Sequence, residues 1–227
     1  IGDPERWASM IDDPPAFQAI KDRVEVDFAP GTRRVWGADE RVSLDLEIKN
    51  VPTLLVKIFE IDAAAYYASA KKDLDATVDL EGVVPAVETR LTFDADASLD
   101  TKRDPFRRLT QRLELPSIKG PGSYVVELIG NGLSSRAVVV KGGLFYRDDP
   151  DGAGHRLRVF DEKRRPVTEA TARLGGRTFN ADEKGLIRIP YSRQAGRKSL
   201  VLEGADRAAL TRFDHRRENY DLSAGFH

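Results

Sequence analysis

The sequence predicts a mostly β protein: two antiparallel β-sandwiches in tandem, with a short N-terminal helical segment and a helical insertion. Apolar residues recur at every second position in short segments along most of the chain. Gly, Pro, Asn and Asp separate these segments, as they do in turns that reverse the chain. The length of 227 residues favours two domains, because single cores centre near about 100 residues.

The first 22 residues are predicted to be a helical linker. Asp3 and Pro4 form a typical helix start, since an Asp oxygen caps free amides and Pro fits the first turn. Asp13-Pro14-Pro15 is expected to interrupt the helical pattern. We therefore expect one or two short helices within residues 4–22, packed on the domain that follows.

Residues 23–147 are predicted to form the first sandwich. In residues 42–48, apolar and polar side chains alternate, which suits an antiparallel sheet with one face in water. Turns are expected at Pro30-Gly31, Trp36-Gly37, residues 120–122 and residues 130–132. The predicted strands are residues 24–28, 42–48, 54–61, 109–115, 123–129 and 135–141.

An insertion at residues 62–108 departs from the strand pattern. Residues 62–74 contain strong helix formers and could make about three turns of helix. Residues 75–108 are polar, and no strand is predicted in them. Since long insertions often carry function, we expect this segment to be the main contact surface.

Residues 148–227 are predicted to form the second, smaller sandwich. The segment HRLRVFD is followed by a turn, by the small-residue strand VTEATARL and by a Gly-Gly turn. The domain boundary is expected at residues 141–143 or at residues 148–152, with LFYR (144–147) as a connecting strand. Further β segments are expected at residues 199–204, 208–213 and 218–226.

The motif VFDEKRRPVTEATARLGGRTFNADEKGLIRIPYS (159–192) resembles the transthyretin-like and carboxypeptidase-regulatory-like sandwiches. In that pattern a strand ends at Asp, a turn leads to Pro-Val, and an Asp-x-x-Gly turn precedes an apolar strand. The residues at those places are Asp161, Pro166, Val167, Ala170, Asp182, Gly185 and Ile187.

The middle of the chain resembles a macroglobulin domain of the α2-macroglobulin type. VWGADERVSLDLEIKNVPTLLVKIFEID would form its opening strands and GPGSYVVELIGNGLSSRAVVVKGGL its closing hairpin. The two resemblances imply immunoglobulin-like sandwiches inside a large bacterial protein that is periplasmic or secreted. We therefore expect an extracytoplasmic fragment of a longer chain, whose partners are the neighbouring domains of that chain and another protein.

The composition excludes several kinds of chemistry. The chain has no cysteine, so it holds no disulfide, thiolate nucleophile or thioester. Lys and Arg total 36 against 37 Asp and Glu, a balance that argues against nucleic acid as a partner. No apolar run approaches the roughly 20 residues that direct membrane insertion needs.

No motif for catalysis is recognised in the chain. His155, His215 and His227 lack the spacing that places two imidazoles on one helical face, so surface or capping roles are expected for them. No serine lies in a nucleophile elbow. We therefore predict a protein that is not an enzyme and has no cofactor.

Two acidic turns are candidates for a calcium site, which needs several oxygen ligands. One lies in the insertion and the other at the expected domain junction. The alternative is that both are solvated turns without a metal. The candidate ligands are Asp94, Asp96 and Asp100 in the first turn, and Asp148, Asp149 and Asp151 in the second.

Five aromatic residues are expected at the surface, where such side chains serve interfaces and sugar platforms as well as cores. They are Trp36, Tyr66, Tyr67, Phe145 and Tyr146. Our main hypothesis is a structural and protein-interaction segment that positions neighbouring domains through a hydrophobic interface around Phe145 and Tyr146. One alternative is a carbohydrate-binding module in which Trp36, Tyr66 and Tyr67 stack on sugar rings. The other is a pair of accessory domains of a hydrolase or peptidase.

Overall fold

The computed structural model describes residues 13–70, 72–93, 108–204 and 207–217. Over these residues the chain forms two helices and fifteen strands, arranged in four sheets. The sheets make two antiparallel immunoglobulin-like sandwiches in tandem, preceded by a helix and carrying a helical insertion. The predicted fold class is confirmed.

The first described helix, α1 (Pro14–Asp22), begins where the sequence predicted an interruption. The Oδ1 atom of Asp13 accepts a hydrogen bond from the Ala16 amide at 3.0 Å. Two prolines fill the first turn, where a backbone amide has no partner within the helix. A helix therefore starts at Asp13-Pro14-Pro15. The predicted helix start at Asp3, and with it the helix that these residues would interrupt, lies outside the described residues, so the interruption stays a prediction.

The first sandwich contains eight strands over the described residues. A three-stranded sheet has the order β1-β3-β6, and a five-stranded sheet has the order β2-β8-β7-β4-β5. All pairs are antiparallel except β2 with β8. The strands are β1 (Glu25–Phe28), β2 (Val35–Trp36), β3 (Ser43–Lys49), β4 (Thr53–Ile61), β5 (Val87–Thr92), β6 (Leu109–Glu114), β7 (Gly122–Gly130) and β8 (Leu133–Lys141).

The first core lies between these two sheets and follows the predicted alternation. Leu44, Leu46 and Ile48 point inward from β3, while Asp45 is exposed. Facing them, every second residue of β4 and β7 is buried in the same cluster. These inward residues are Leu54, Val56, Ile58, Tyr124, Val126 and Leu128.

A second apolar layer covers the outer face of the five-stranded sheet. Phe59, Val125 and Val138 point outward and are buried by the segment that follows β4. This segment contains the second helix, α2 (Ala63–Ala70), and then Leu74, Val78 and Leu80. The insertion is thus helical as predicted. The prediction that residues 75–108 contain no strand is wrong, because β5 lies within them and pairs with β4.

The second sandwich is formed from a three-stranded sheet, β13-β10-β9, and a four-stranded sheet, β12-β11-β14-β15. Its strands are β9 (Phe145–Asp148), β10 (Gly154–Phe160), β11 (Thr171–Leu174), β12 (Arg177–Asn180), β13 (Leu186–Pro190), β14 (Gly196–Gly204) and β15 (Arg207–His215). The core between the sheets includes Leu157, Ile187, Ile189, Leu200, Leu202 and Phe213. The segment predicted at residues 218–226 lies outside the described residues.

Strand β9 belongs to the sheet of the second sandwich. It pairs with β10 along its length, and Leu144 just before it is buried in the second core. The chain therefore leaves the first sandwich at the end of β8. We propose the domain boundary at residues 141–143, the first of the two positions that the sequence offered.

A turn between β12 and β13 fixes the register of the second sandwich. The Oδ1 atom of Asp182 accepts hydrogen bonds from the amides of Lys184 and Leu186, each at 2.9 Å. The Leu186 amide is the main reason why the pKa of Asp182 lies below its usual value. Gly185 has φ +70°, and a Cβ atom there would lie 3.1 Å from the Thr168 Cα atom. Only glycine fits this position without strain.

Candidate functional site

The two sandwiches meet at a short connection after β8. Gly142 has φ +66°, and a Cβ atom there would lie 2.9 Å from Cβ of Pro121 and 3.3 Å from Cβ of Ala38. Its amide donates a hydrogen bond to the Trp36 carbonyl at 2.8 Å. The connection is therefore held against the first sandwich, at a position that requires glycine.

Polar contacts join the turn after β2 to the turn after β10. The Ala38 amide donates to Glu162 Oε1 at 3.2 Å. The other carboxylate oxygen of Glu162 accepts from Arg207 at 2.6 Å, and these two side chains are only 13% and 14% exposed. Asp39 and Lys163 form a more exposed ion pair beside them. The hydrogen bond from Lys163 is the main reason why the pKa of Asp39 is lowered. Glu162 thus links the first sandwich to a largely buried cation of the second.

The insertion also reaches the second sandwich. Helix α2 lies against β15, and Asp73 just beyond the helix is 3.5 Å from the Arg212 guanidinium. A cleft between the sandwiches is lined by Glu60 and Ala63 on one side and by Glu203 and Arg207 on the other. The layer that completes the outer core of the first sandwich is therefore also part of the junction.

Phe145 and Tyr146 point to opposite faces of β9. Phe145 is 49% exposed, whereas Tyr146 packs against the second core with its ring edge-on to Phe213 at 5.9 Å between centroids. The Tyr146 hydroxyl donates to the Arg212 carbonyl at 2.8 Å. The contacts between the sandwiches that are described above are polar, so they do not test the hydrophobic interface predicted around Phe145 and Tyr146. That interface stays a prediction.

The three aromatic residues of the carbohydrate hypothesis do not form one platform. Trp36 is 8% exposed and packs in the first core, with the Arg33 guanidinium 4.4 Å from the centre of its ring. The expectation that Trp36 is exposed in a turn is wrong, because it lies in β2 and its side chain points inward. Tyr66 packs with the outer layer on the other face of the sheet, and Tyr67 is half-buried.

The acidic turn at the end of β9 is occupied by basic and amide donors. The Oδ1 atom of Asp151 accepts from the Ala153 amide at 2.8 Å, which is the main reason why its pKa is lowered. Across the described residues, no group of three or more His, Asp or Glu side chains is arranged to hold a metal ion. Asp94, Asp96 and Asp100 lie outside those residues. The side-chain partners are His155 for Asp148, Arg147 for Asp149, and Arg156 with Arg188 for Asp151.

Two histidines lie inside the second sandwich, contrary to the surface roles expected for them. His155 is fully buried; its Nδ1 atom donates to Asp148 Oδ2 at 2.7 Å, and its Nε2 atom accepts from the Arg216 amide at 3.0 Å. The His215 ring lies 5.3 Å away, and its Nε2 atom is 2.8 Å from the Ser192 hydroxyl. The sequence contains a signal for this, since His155 is in phase with Leu157 on β10 and His215 with Phe213 on β15.

This histidine cluster does not have the geometry of a catalytic triad. The carboxylate of Asp148 contacts His155, whereas Ser192 contacts His215, so no single imidazole joins an acid to the hydroxyl. The lone pair of His155 is already used by the Arg216 amide. The pKa of His215 is lowered by burial and then by Lys198 and His155, and its Nδ1 atom has no partner among the described residues. The arrangement acts as a buried hydrogen-bond network.

Neither of the two helices in the described part of the chain is long and apolar enough to cross a membrane.

The fold and its junction define a class of protein: tandem antiparallel immunoglobulin-like sandwiches with a short glycine connection. Residues 54–142 match the family model of the AbpF first immunoglobulin-like domain. The chain is also 34% identical over 228 residues to actin-binding protein F from Dictyostelium discoideum. That match covers 98% of this chain, which spans only 9% of the relative's length.

Two solved structures share the fold. One is native alpha-2-macroglobulin from Escherichia coli spanning domains MG0-NIE-MG1, at 15% identity and a TM-score of 0.53, covering 83% of this chain and 64% of that one. The other spans domains NIE-MG1 of the same protein, at 14% identity and 0.51, covering 84% and 97%. The expected macroglobulin-like fold is confirmed, while the transthyretin-like half and the bacterial origin stay predictions.

Proposed function

We propose that this chain is a non-catalytic structural and protein-interaction segment that holds the domains of a larger protein in a fixed relative position. Glu162 is the observation that carries the proposal, because its carboxylate joins the Ala38 amide of one sandwich to Arg207 of the other. A largely buried, charge-assisted link of this kind has directional geometry, so it favours one domain orientation. The relative's much greater length supports placement within a longer chain.

The partners proposed for this segment are the neighbouring domains of the same chain and another protein. The insertion offers one surface for such contacts, because Val83 and Val84 between α2 and β5 are 41% and 84% exposed. Exposed apolar side chains of this kind commonly lie at contact sites. An extracytoplasmic location, a sugar ligand and a role beside a hydrolase domain stay predictions from the sequence.

Binding to actin is the second candidate function. Its support is the relative named actin-binding protein F, which is 34% identical to this chain in a match that covers 98% of this chain. Co-sedimentation with actin filaments tests it directly. If actin binding is a property of this segment, the protein appears in the pellet in proportion to filament concentration, and protein that stays in the supernatant at saturating filament concentrations removes the candidate.

A distance measurement tests the positioning role. The chain has no cysteine, so cysteines introduced at Arg90 on β5 and Arg177 on β12 would carry the only two spin labels. We expect a narrow distance distribution, as broad as that of a control pair at Arg90 and Thr110 inside the first sandwich. A much broader distribution for the pair that spans both sandwiches would contradict a fixed orientation.

A further inference from the structure

An open cleft of 1020 Å³ lies in the first sandwich, next to the junction. Its floor contains the buried apolar residues Val42, Leu115 and Ile118. Its rim carries exposed charged side chains of both signs from the β2–β3 turn, from β6 and from the turn that follows β6. The cleft thus combines an apolar base with a charged margin.

Lys141 is the decisive residue of the floor. It is 5% exposed, and its Nζ atom donates to the carbonyl oxygens of Ile118 and Lys119 at 2.8 and 3.0 Å. Both acceptors are neutral, and across the described residues no carboxylate forms an ion pair with it. An ammonium group has three donors and is costly to bury without a counter-charge. The floor therefore presents an unneutralised cation with hydrogen-bonding capacity left.

The carboxylates of the rim do not supply that counter-charge, because each is engaged by another base. Arg41 and Lys119, in contrast, are exposed and form no ion pair within the described residues. Positive charge is thus the part of the lining that is left uncompensated. The engaged rim pairs are Asp39 with Lys163, Glu40 with Arg33, and Glu114 with Arg112.

We propose that this cleft binds an acidic peptide segment of a partner protein. One carboxylate of the peptide pairs with Lys141 at the floor, and others pair with Arg41 and Lys119 at the rim. Apolar side chains between the acidic ones pack on Val42, Leu115 and Ile118. A nucleic acid is disfavoured, because the whole chain has a net charge of −1 and lacks the excess of basic residues that binding to many phosphates needs.

Binding of a labelled hexapeptide of alternating Asp and Leu tests the proposal by fluorescence anisotropy at low salt. We expect the Arg41→Glu, Lys119→Glu double variant to weaken binding by about tenfold or more, because two attractive charges become repulsive. The Arg177→Glu, Arg193→Glu double variant is the matched control, since both side chains are exposed on the second sandwich and outside the cleft; it should bind as the parent protein does. A peptide with Asn in place of Asp should not bind.

Lys141→Met tests the floor, with the thermal melt as a check on folding. Binding should be lost while the melt shows a cooperative transition. If Lys141→Met fails to fold, the Arg41→Glu, Lys119→Glu variant still tests the proposal, because both of the side chains that it changes are exposed. The proposal is overturned if the peptide does not bind, if the double variant binds it equally well, or if single-stranded DNA competes it away. This inference rests on the proposed interaction role. Peptide binding can fail while the spin-label distance distribution across the two sandwiches stays narrow, so a failure of this inference is distinguishable from a failure of the proposed function.

Discussion

His155 and Asp148 form a hydrogen bond inside the second sandwich, with 2.7 Å between Nδ1 and Oδ2. Because the carboxylate accepts the Nδ1 proton, the Nε2 atom is free to accept the amide of Arg216 at 3.0 Å. Asp148 ends β9, His155 is on β10, and Arg216 follows β15. One buried imidazole therefore ties an edge strand of one sheet to the end of an edge strand of the other.

Loss of the Asp148 carboxylate should destabilise the second sandwich. Asp148→Ala leaves the Nδ1 proton of a fully buried ring without its acceptor, which costs about 1–3 kcal/mol of unfolding free energy. Urea unfolding measures the loss. Asp148→Asn is the control, because it keeps an acceptor oxygen at the same place and should cost less. Equal losses in the two variants would contradict the assigned hydrogen bond.

Stability should fall as the pH drops from 7.5 to 5.5. Burial, followed by Lys198 and His155, lowers the pKa of His215 below its usual 6.5. The unfolded chain therefore takes up this proton first, so unfolding is favoured as the pH falls below about 6.5, until the folded state also protonates. The melting temperature, measured as a function of pH, reports this loss of stability. His215→Gln should make the melting temperature depend less on pH between 7.5 and 5.5. Carboxylates titrate lower, near pH 4, so an unchanged slope in the variant would show that His215 is not the cause.

Removal of the Glu162 carboxylate should loosen the junction. Glu162→Ala leaves Arg207 largely buried without its anion, and we expect a loss of about 1–3 kcal/mol in unfolding free energy. The spin-label distance distribution across the two sandwiches should broaden at the same time. Glu169→Ala provides the comparison, since Glu169 is exposed on the second sandwich and should change neither quantity. A narrow distribution in Glu162→Ala would mean that other contacts set the orientation.

Alanine at Gly185 should be worse than alanine at Gly175. Both glycines have positive φ, +70° and +57°, so both substitutions carry backbone strain. Only at Gly185 would the new Cβ atom be crowded, 3.1 Å from the Thr168 Cα atom, while nothing lies within 4 Å at Gly175. We expect a further loss of about 1 kcal/mol or more at Gly185. Chemical unfolding of the two variants side by side measures the difference, and equal stabilities would contradict the crowding.

The strands of the first sandwich could be predicted because their inward positions repeat with period two, as in Leu44, Leu46 and Ile48. Strand β7 shows the limit of that rule. Val125 and Val126 point to opposite faces and both are fully buried, since α2 and the residues after it cover the outer face. The consecutive apolar residues 124–126 of β7 are consistent with this cover, but only the structure shows which segment provides it.

The functional contacts were harder to predict because they depend on pairing between distant parts of the chain. Glu162 and Ala38 are 124 positions apart, and nothing in either local sequence indicates the other. The strand Val87–Thr92 is hard to recognise because its apolar alternation is sparse: Val87 and Leu91 pack on the first core, but the residues between them are polar, and pairing with β4 defines the strand. Residue type alone does not predict that His155 and His215 are buried; the signal lies in their phase with the apolar neighbours Leu157 and Phe213.

The short connection between β8 and β9 has a mechanical consequence. Three residues, 142–144, separate the two strands, and even fully extended they span only about 10 Å. Almost no slack exists between the sandwiches, so a pull on either one reaches the other before any linker can extend. Within a long chain of such units, force would be borne by the strand pairs themselves.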